Sequence, residues 1–123
     1  MVFKAYAVTN EIDLNRIAAD CNIPKKYTWE EPLVLQGEIL SNILHRKKLK
    51  NEEILVFSFG SIVFINSTTE DEKVFLKYLK KIKDDIDINN YEEYSDDYEL
   101  QVVENAKIEL TDKYLVVPAF EIF

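Results

Sequence analysis

Six carboxylates gather late in the chain: Asp84, Asp85 and Asp87, then Asp96, Asp97 and Glu99. Clustered carboxylates hold Ca²⁺ or Mg²⁺ when a loop delivers them at fixed spacing. No Asp-x-Asp-x-Asp-Gly run occurs here, and Gly37 and Gly60 are the only glycines. The cluster therefore reads as a solvated acidic connector. Zinc needs about four Cys, His or carboxylate ligands. With one cysteine, Cys21, and one histidine, His45, a typical zinc site is out of reach. The two phosphate-cradling fingerprints each need glycines at close fixed spacing, which Gly37 and Gly60 do not supply. The sequence implies no metal and no cofactor.

Nucleophilic catalysis by Cys21 with His45 would require only spatial adjacency. Cys21, however, falls on the apolar face of a predicted helix, where a free cysteine packs as a small hydrophobe. Acid–base pairs drawn from 23 acidic residues are unavoidable by chance and carry no signal. Tyr27, Trp29, Phe59 and the Tyr91, Tyr94, Tyr98 series offer rings for stacking. Stacking platforms normally lie in basic surroundings, whereas Tyr91, Tyr94 and Tyr98 lie among acids. No catalytic constellation emerges, and the expectation is a protein that is not an enzyme.

The net charge of −8 disfavours nucleic acid, because an acidic chain repels phosphates unless its cations are segregated. Two basic groups exist. One is His45, Arg46, Lys47, Lys48 and Lys50; the other is Lys77, Lys80, Lys81 and Lys83. They read as a solvated loop and a solvated helix face. The alternative function is a small-ligand or nucleic-acid-binding module using the basic loop 45–50 and nearby aromatics.

A chain of 123 residues favours one domain over 1–123, and a domain of this size buries roughly two-thirds of its unfolded surface. The lone thiol suits a reducing compartment. No apolar run approaches the roughly 18 residues needed to span a bilayer, and the first residues show no signal-peptide pattern. The expected setting of this segment is cytoplasmic, without membrane contact of its own.

Residues 2–8 alternate and predict a first strand. Asn10 is the expected N-cap of a helix carrying Leu14, Ile17, Ala18 and Cys21 on one face, with Asp13 in its first turn and Pro24 ending it. Leu33-Val34-Leu35 predicts a short strand, and Ile39, Leu40, Ile43 and Leu44 predict a short helix over 37–45. The tetrads Ile54–Phe57 and Ile62–Ile65 are rich in β-branched and aromatic residues, which suit strands. Between them lies Ser58-Phe59-Gly60-Ser61, where Gly60 can close a hairpin with positive φ. Thr69 and Glu72 have capping-box spacing for a helix running to about Lys83. Residues 84–97 read as a connector. Tyr98–Val103 predicts a strand, and Lys107–Leu110 with Tyr114–Val117 a second hairpin. The fold class is α+β: one mostly antiparallel sheet built from hairpins, with two main helices packed on one face.

The block Val-Phe-Ser-Phe-Gly-Ser-Ile-Val-Phe-Ile-Asn (56–66) resembles the aromatic-Gly-Val-Val-Phe-Trp-Asn block of the YagE-like family, also called the Required-for-Meiotic-nuclear-Division family. The acidic helix start Glu70-Asp71-Glu72, then Asp96-Asp97-Tyr98-Glu99 and Asn105–Leu110, follow in the family's order. The likeness covers roughly residues 54–120. It implies an interaction or scaffold role with a protein partner or a second copy of the chain. It also implies a longer protein of which this is the N-terminal part, with further helices and often a C-terminal membrane span. No catalytic residue comes with it. The chain ends on Val116-Val117-Pro118-Ala119-Phe120-Glu121-Ile122-Phe123. Phe120, Ile122 and Phe123 are therefore expected to form an interaction surface.

Overall fold

The apolar tetrads around Gly60 form an inner hairpin of a five-stranded sheet. The computed structural model describes residues 3–28, 31–46, 51–86, 88 and 91, and the strand backbones at 95–96, 99–102, 109–110 and 114–117. Its elements run β1 (Phe3–Ala7), α1 (Leu14–Asp20), β2 (Leu33–Gln36), α2 (Gly37–Leu44), β3 (Glu53–Val56), β4 (Ser61–Ile65), α3 (Thr69–Lys80), β5 (Ser95–Asp96), β6 (Glu99–Val102), β7 (Glu109–Leu110) and β8 (Tyr114–Val117). The class is α+β with a largely antiparallel sheet.

β3 and β4 pair antiparallel, with Ile54 opposite Phe64 and Val56 opposite Ile62. The turn between them is closed by the Gly60 N–H donating to the Phe57 carbonyl at 3.0 Å, with Gly60 at φ +95°. β2 joins one side of this hairpin and β1 the other, giving the order β2-β3-β4-β1-β5. Side chains alternate across a strand. Ile54, Val56, Ile62, Phe64, Leu33, Leu35 and Tyr6 share one cluster with Leu14 and Ile17 of α1, Leu40 and Ile43 of α2, and Phe75, Leu76 and Leu79 of α3. All three helices therefore cover one face. Ala5, Leu55, Phe57, Val63 and Ile65 form a second cluster and are buried as completely. Strands buried on both faces read as continuous apolar runs, which is why the tetrads lack polar alternation. Each large apolar side chain so buried contributes about 1.5–3 kcal/mol.

The expectation of a single sheet is corrected. β6, β8 and β7 form a separate three-stranded sheet, with β8 in the centre. β7 and β8 are the antiparallel hairpin read from the sequence. β6 lies parallel to β8 on its other side. Alternation marks a strand but not its neighbour, and a parallel pair joins strands that are distant in sequence. A further two-residue strand, β5, lies within the expected connector 84–97 and pairs with β1.

Helix starts also differ from expectation. α1 is capped by Asp13, whose carboxylate accepts the N–H groups of Asn15 and Arg16 at 3.1 and 3.3 Å. Asn10 is displaced from that role because the segment before the helix is pinned to the hairpin turn: the Ile12 N–H donates to the Ser58 carbonyl at 2.8 Å. The helix stops at Asp20. Asn22 takes φ +57°, and the Ile23 N–H reaches back to the Ala18 carbonyl at 2.8 Å, a Schellman stop that precedes Pro24. α3 is capped by Thr68 with Asp71, one residue before the expected pair. Both pairs satisfy the spacing, but Glu72 is turned into the core and cannot serve the cap.

Candidate functional site

Three elements converge on Arg46, just past the left-handed turn at His45 that ends α2 (φ +56°). Its Nη2 donates to Glu52 Oε2 at 2.6 Å and to Asp71 Oδ2 at 2.7 Å. Glu52 precedes β3, and Asp71 belongs to the α3 capping box. Both carboxylates are about 5% exposed, whereas the arginine side chain is half-exposed. Burial pushes the Glu52 carboxyl up to about 7; the neighbouring Asp71 carboxylate adds to the rise and Arg46 opposes it. Two carboxylates on one guanidinium nitrogen carry a surplus negative charge, and a proton on one of them relieves it.

One residue on, Glu72 is 1% exposed. Its Oε1 accepts the hydroxyls of Tyr91 at 2.8 Å and Tyr6 at 3.2 Å. Lys4 Nζ lies 3.8 Å from its other oxygen. Tyr6 meets Tyr91 edge-on at 4.9 Å between centroids and Phe64 at 5.9 Å. This carboxylate thus ties α3 to β1 and to Tyr91. Buried charges normally need such partners.

A cleft of about 470 Å³ lies between α2, α3 and the end of α1, within the size range of ligand sites. Ile39 and Ile43 of α2 and Val74 of α3 supply its apolar lining; Lys77, Tyr78 and Lys81 continue it. At its α1 end the Tyr78 hydroxyl donates to Asp20 Oδ2 at 2.5 Å and lies 3.6 Å from Cys21 Sγ. Burial raises the Tyr78 phenol well above its ordinary range, and the bond to Asp20 raises it further. Burial likewise pushes the Cys21 thiol up; the Tyr78 hydroxyl opposes this and Asp20 adds to it. A thiol shifted that way is a poor nucleophile at neutral pH.

Cys21 and His45 both line the cleft. Of the expected basic patch, His45 is exposed at the cleft and Arg46 is drawn into its ion pairs, while Lys47, Lys48 and Lys50 lie outside the described residues. Phe120, Ile122, Phe123, Trp29, Tyr94, Tyr98, Asp87 and Asp97 lie outside them too, or have undescribed side chains. Phe59 packs on Phe57 at 5.2 Å. Gly60 sits in its turn against the backbone of Thr9. Among the described residues, no group of three or more His, Cys, Asp or Glu is placed to hold a metal ion. Among them, too, no helix is long and apolar enough to cross a membrane.

In the sequence, Glu52-Glu53 is a polar pair before an apolar run, and Glu70-Asp71-Glu72 is a helix start with Glu72 as the expected capping-box acid; the burial of Glu52, Asp71 and Glu72 is not legible there. Compared with protein-family models, curated proteins and solved structures, the chain finds no match.

Proposed function

We propose that this chain is the N-terminal α+β domain of a YagE-like protein and that it is a non-catalytic interaction module of a larger, membrane-anchored protein facing the cytoplasm. The observation that supports this reading is how its ionisable groups are used. Arg46, Glu52 and Asp71 clamp α2, β3 and α3 together. Glu72 anchors α3 through Tyr6 and Tyr91. Tyr78 joins α3 to the end of α1 through Asp20. Each set spans separate elements and holds them in place. The engagement of Arg46 also speaks against a phosphate-binding role for the head of loop 45–50, since its charge is already matched.

The test is site-specific photo-crosslinking in cells of the protein's own source, in the full-length protein. A photoreactive residue replaces, one at a time, the exposed Lys25, Glu38, Lys77 and Asp84. Discrete protein adducts at one or more positions are expected. Absence of protein adducts at every position overturns the reading.

A further inference from the structure

We propose that the groove between α2 and α3 binds an acidic amphipathic helix of a partner protein, a proposal that rests on the interaction reading above. Three observations converge on it. The first is shape. Val74, Lys77 and Tyr78 of α3 and Lys81 at its C-cap line the groove, at i, i+3, i+4 and i+7, the stripe that one face of a helix presents. Across from them stand Ile39 and Ile43 of α2. The walls are ridges of side chains from two helices, whose backbone groups are already bonded within them. A bound segment therefore gains little from being extended, and helix-in-groove packing is the mode that fits.

The second is charge. The chain carries −8 overall, yet the charged groups lining the groove are Lys77, Lys81 and Asp20, and Asp20 accepts the Tyr78 hydroxyl. Lys73 extends the row one turn earlier on α3. The local sign is opposite to that of the molecule. Charges across an interface set the choice of partner and its register, so the complementary segment is acidic.

The third is the lining itself. Ile39 and Val74 are only partly buried, although they pack on the core. They leave apolar surface between the two helices for a partner's aliphatic anchors. Tyr78 and His45 are the rings in the lining, so successive bases would find no row of aromatic side chains to stack on.

The experiment is a yeast-displayed library of helices about 16 residues long, with Leu, Ile, Gln, Glu and Lys at randomised positions. It is sorted against the labelled protein. Enriched clones are expected to be net acidic, with apolar residues at i, i+3 or i+4, and i+7. Their affinity should fall about tenfold for Lys77→Glu with Lys81→Glu, and about threefold for the milder Lys77→Gln with Lys81→Gln. Melting curves establish that both variants are folded. No enrichment, net basic clones, or equal binding by the folded variants overturns the proposal. So does tighter binding of an oligothymidylate of about 20 nucleotides that the same variants lose, which would assign the groove to nucleic acid. Photo-adducts at Lys25 or Asp84 without any at Lys77 would leave the interaction reading standing and remove this one.

Discussion

Gly60 and Thr9 meet backbone to backbone. The Gly60 carbonyl accepts the N–H groups of Val8 at 3.0 Å and Thr9 at 3.4 Å. A Cβ placed on Gly60 would lie 1.8 Å from the Thr9 carbonyl oxygen and 2.5 Å from its carbon. The hairpin turn is thus where β1 leaves the sheet, and the chain passes it too closely for any side chain.

Gly60→Ala should therefore cost about 3 kcal/mol, since the clash adds to the strain of φ +95°. Gly37 has φ +59° with no atom within 4 Å of such a Cβ. Gly37→Ala should cost only about 1 kcal/mol, the left-handed penalty alone. Urea unfolding midpoints of both variants decide this. Equal losses would mean that backbone conformation, and not contact with Thr9, makes Gly60 necessary.

Glu52 should make stability depend on pH. Its carboxyl rises from an ordinary 4.5 to about 7 in the folded chain, so the folded state holds that proton more tightly. The stabilisation is fully present below about pH 4.5 and is lost as pH rises through about 7. Glu52→Gln keeps an acceptor for Arg46 and removes the titration. It should be more stable than the parent at about pH 8, on the order of 1 kcal/mol, with the gap closing at about pH 5. Arg46→Met should be more damaging at the higher pH, where the Glu52 carboxyl has lost its proton. Parallel pH profiles for parent and Glu52→Gln would contradict the assignment.

Tyr91 and Glu72 should be energetically coupled. Tyr91→Phe takes a 2.8 Å donor from a carboxylate that is 1% exposed, a loss of about 2 kcal/mol. Glu72→Leu removes the carboxylate that accepts both phenol hydroxyls instead. The double variant should lose less than the two single losses combined, by more than about 0.5 kcal/mol. Strict additivity in the double-mutant cycle would show that the contact carries no net energy.

Cys21 should label slowly. Burial and the Asp20 carboxylate hold its thiol above the ordinary range, so the thiolate is scarce near neutral pH. Maleimide labelling followed from about pH 7 to 10 should lag behind a free cysteine peptide. Tyr78→Phe removes the hydroxyl that opposes the shift and should slow the reaction at neutral pH further. Labelling as fast as the peptide would show an exposed, ordinary thiol.

Much of the fold was legible because local pattern and local geometry agreed. The tetrads flanking Ser58-Phe59-Gly60-Ser61 are strands, and Gly60 is where the turn needs positive φ. α2 and α3 lie where their apolar spacing places them, within a residue or a few at the ends. The misplaced caps show the limit of that reading. Asn10 and Asp13 are both good caps by residue type, as are Thr68 and Thr69. The choice was made by contacts distant in sequence: Ile12 bonded to Ser58, and Glu72 turned toward Tyr6 and Tyr91.

The candidate site was hardly legible at all. Of its lining, the sequence offers Cys21 and His45 as a pair that needs only spatial adjacency, Lys77 and Lys81 as a solvated helix face, and Ile39 and Ile43 as part of a helical apolar spacing. A groove between two helices depends on how far apart they pack, and spacing within either helix does not contain that distance. What the sequence by itself determined is the inventory of strands and helices and which face of each is apolar, because hydrophobic periodicity and turn chemistry act over a few residues. Only the tertiary structure decided which strands are neighbours, which carboxylates are buried, and that α2 and α3 leave a lysine-edged groove open. Those outcomes depend on contacts such as Arg46 with Asp71 and Tyr91 with Glu72, which form only once the chain has closed on itself.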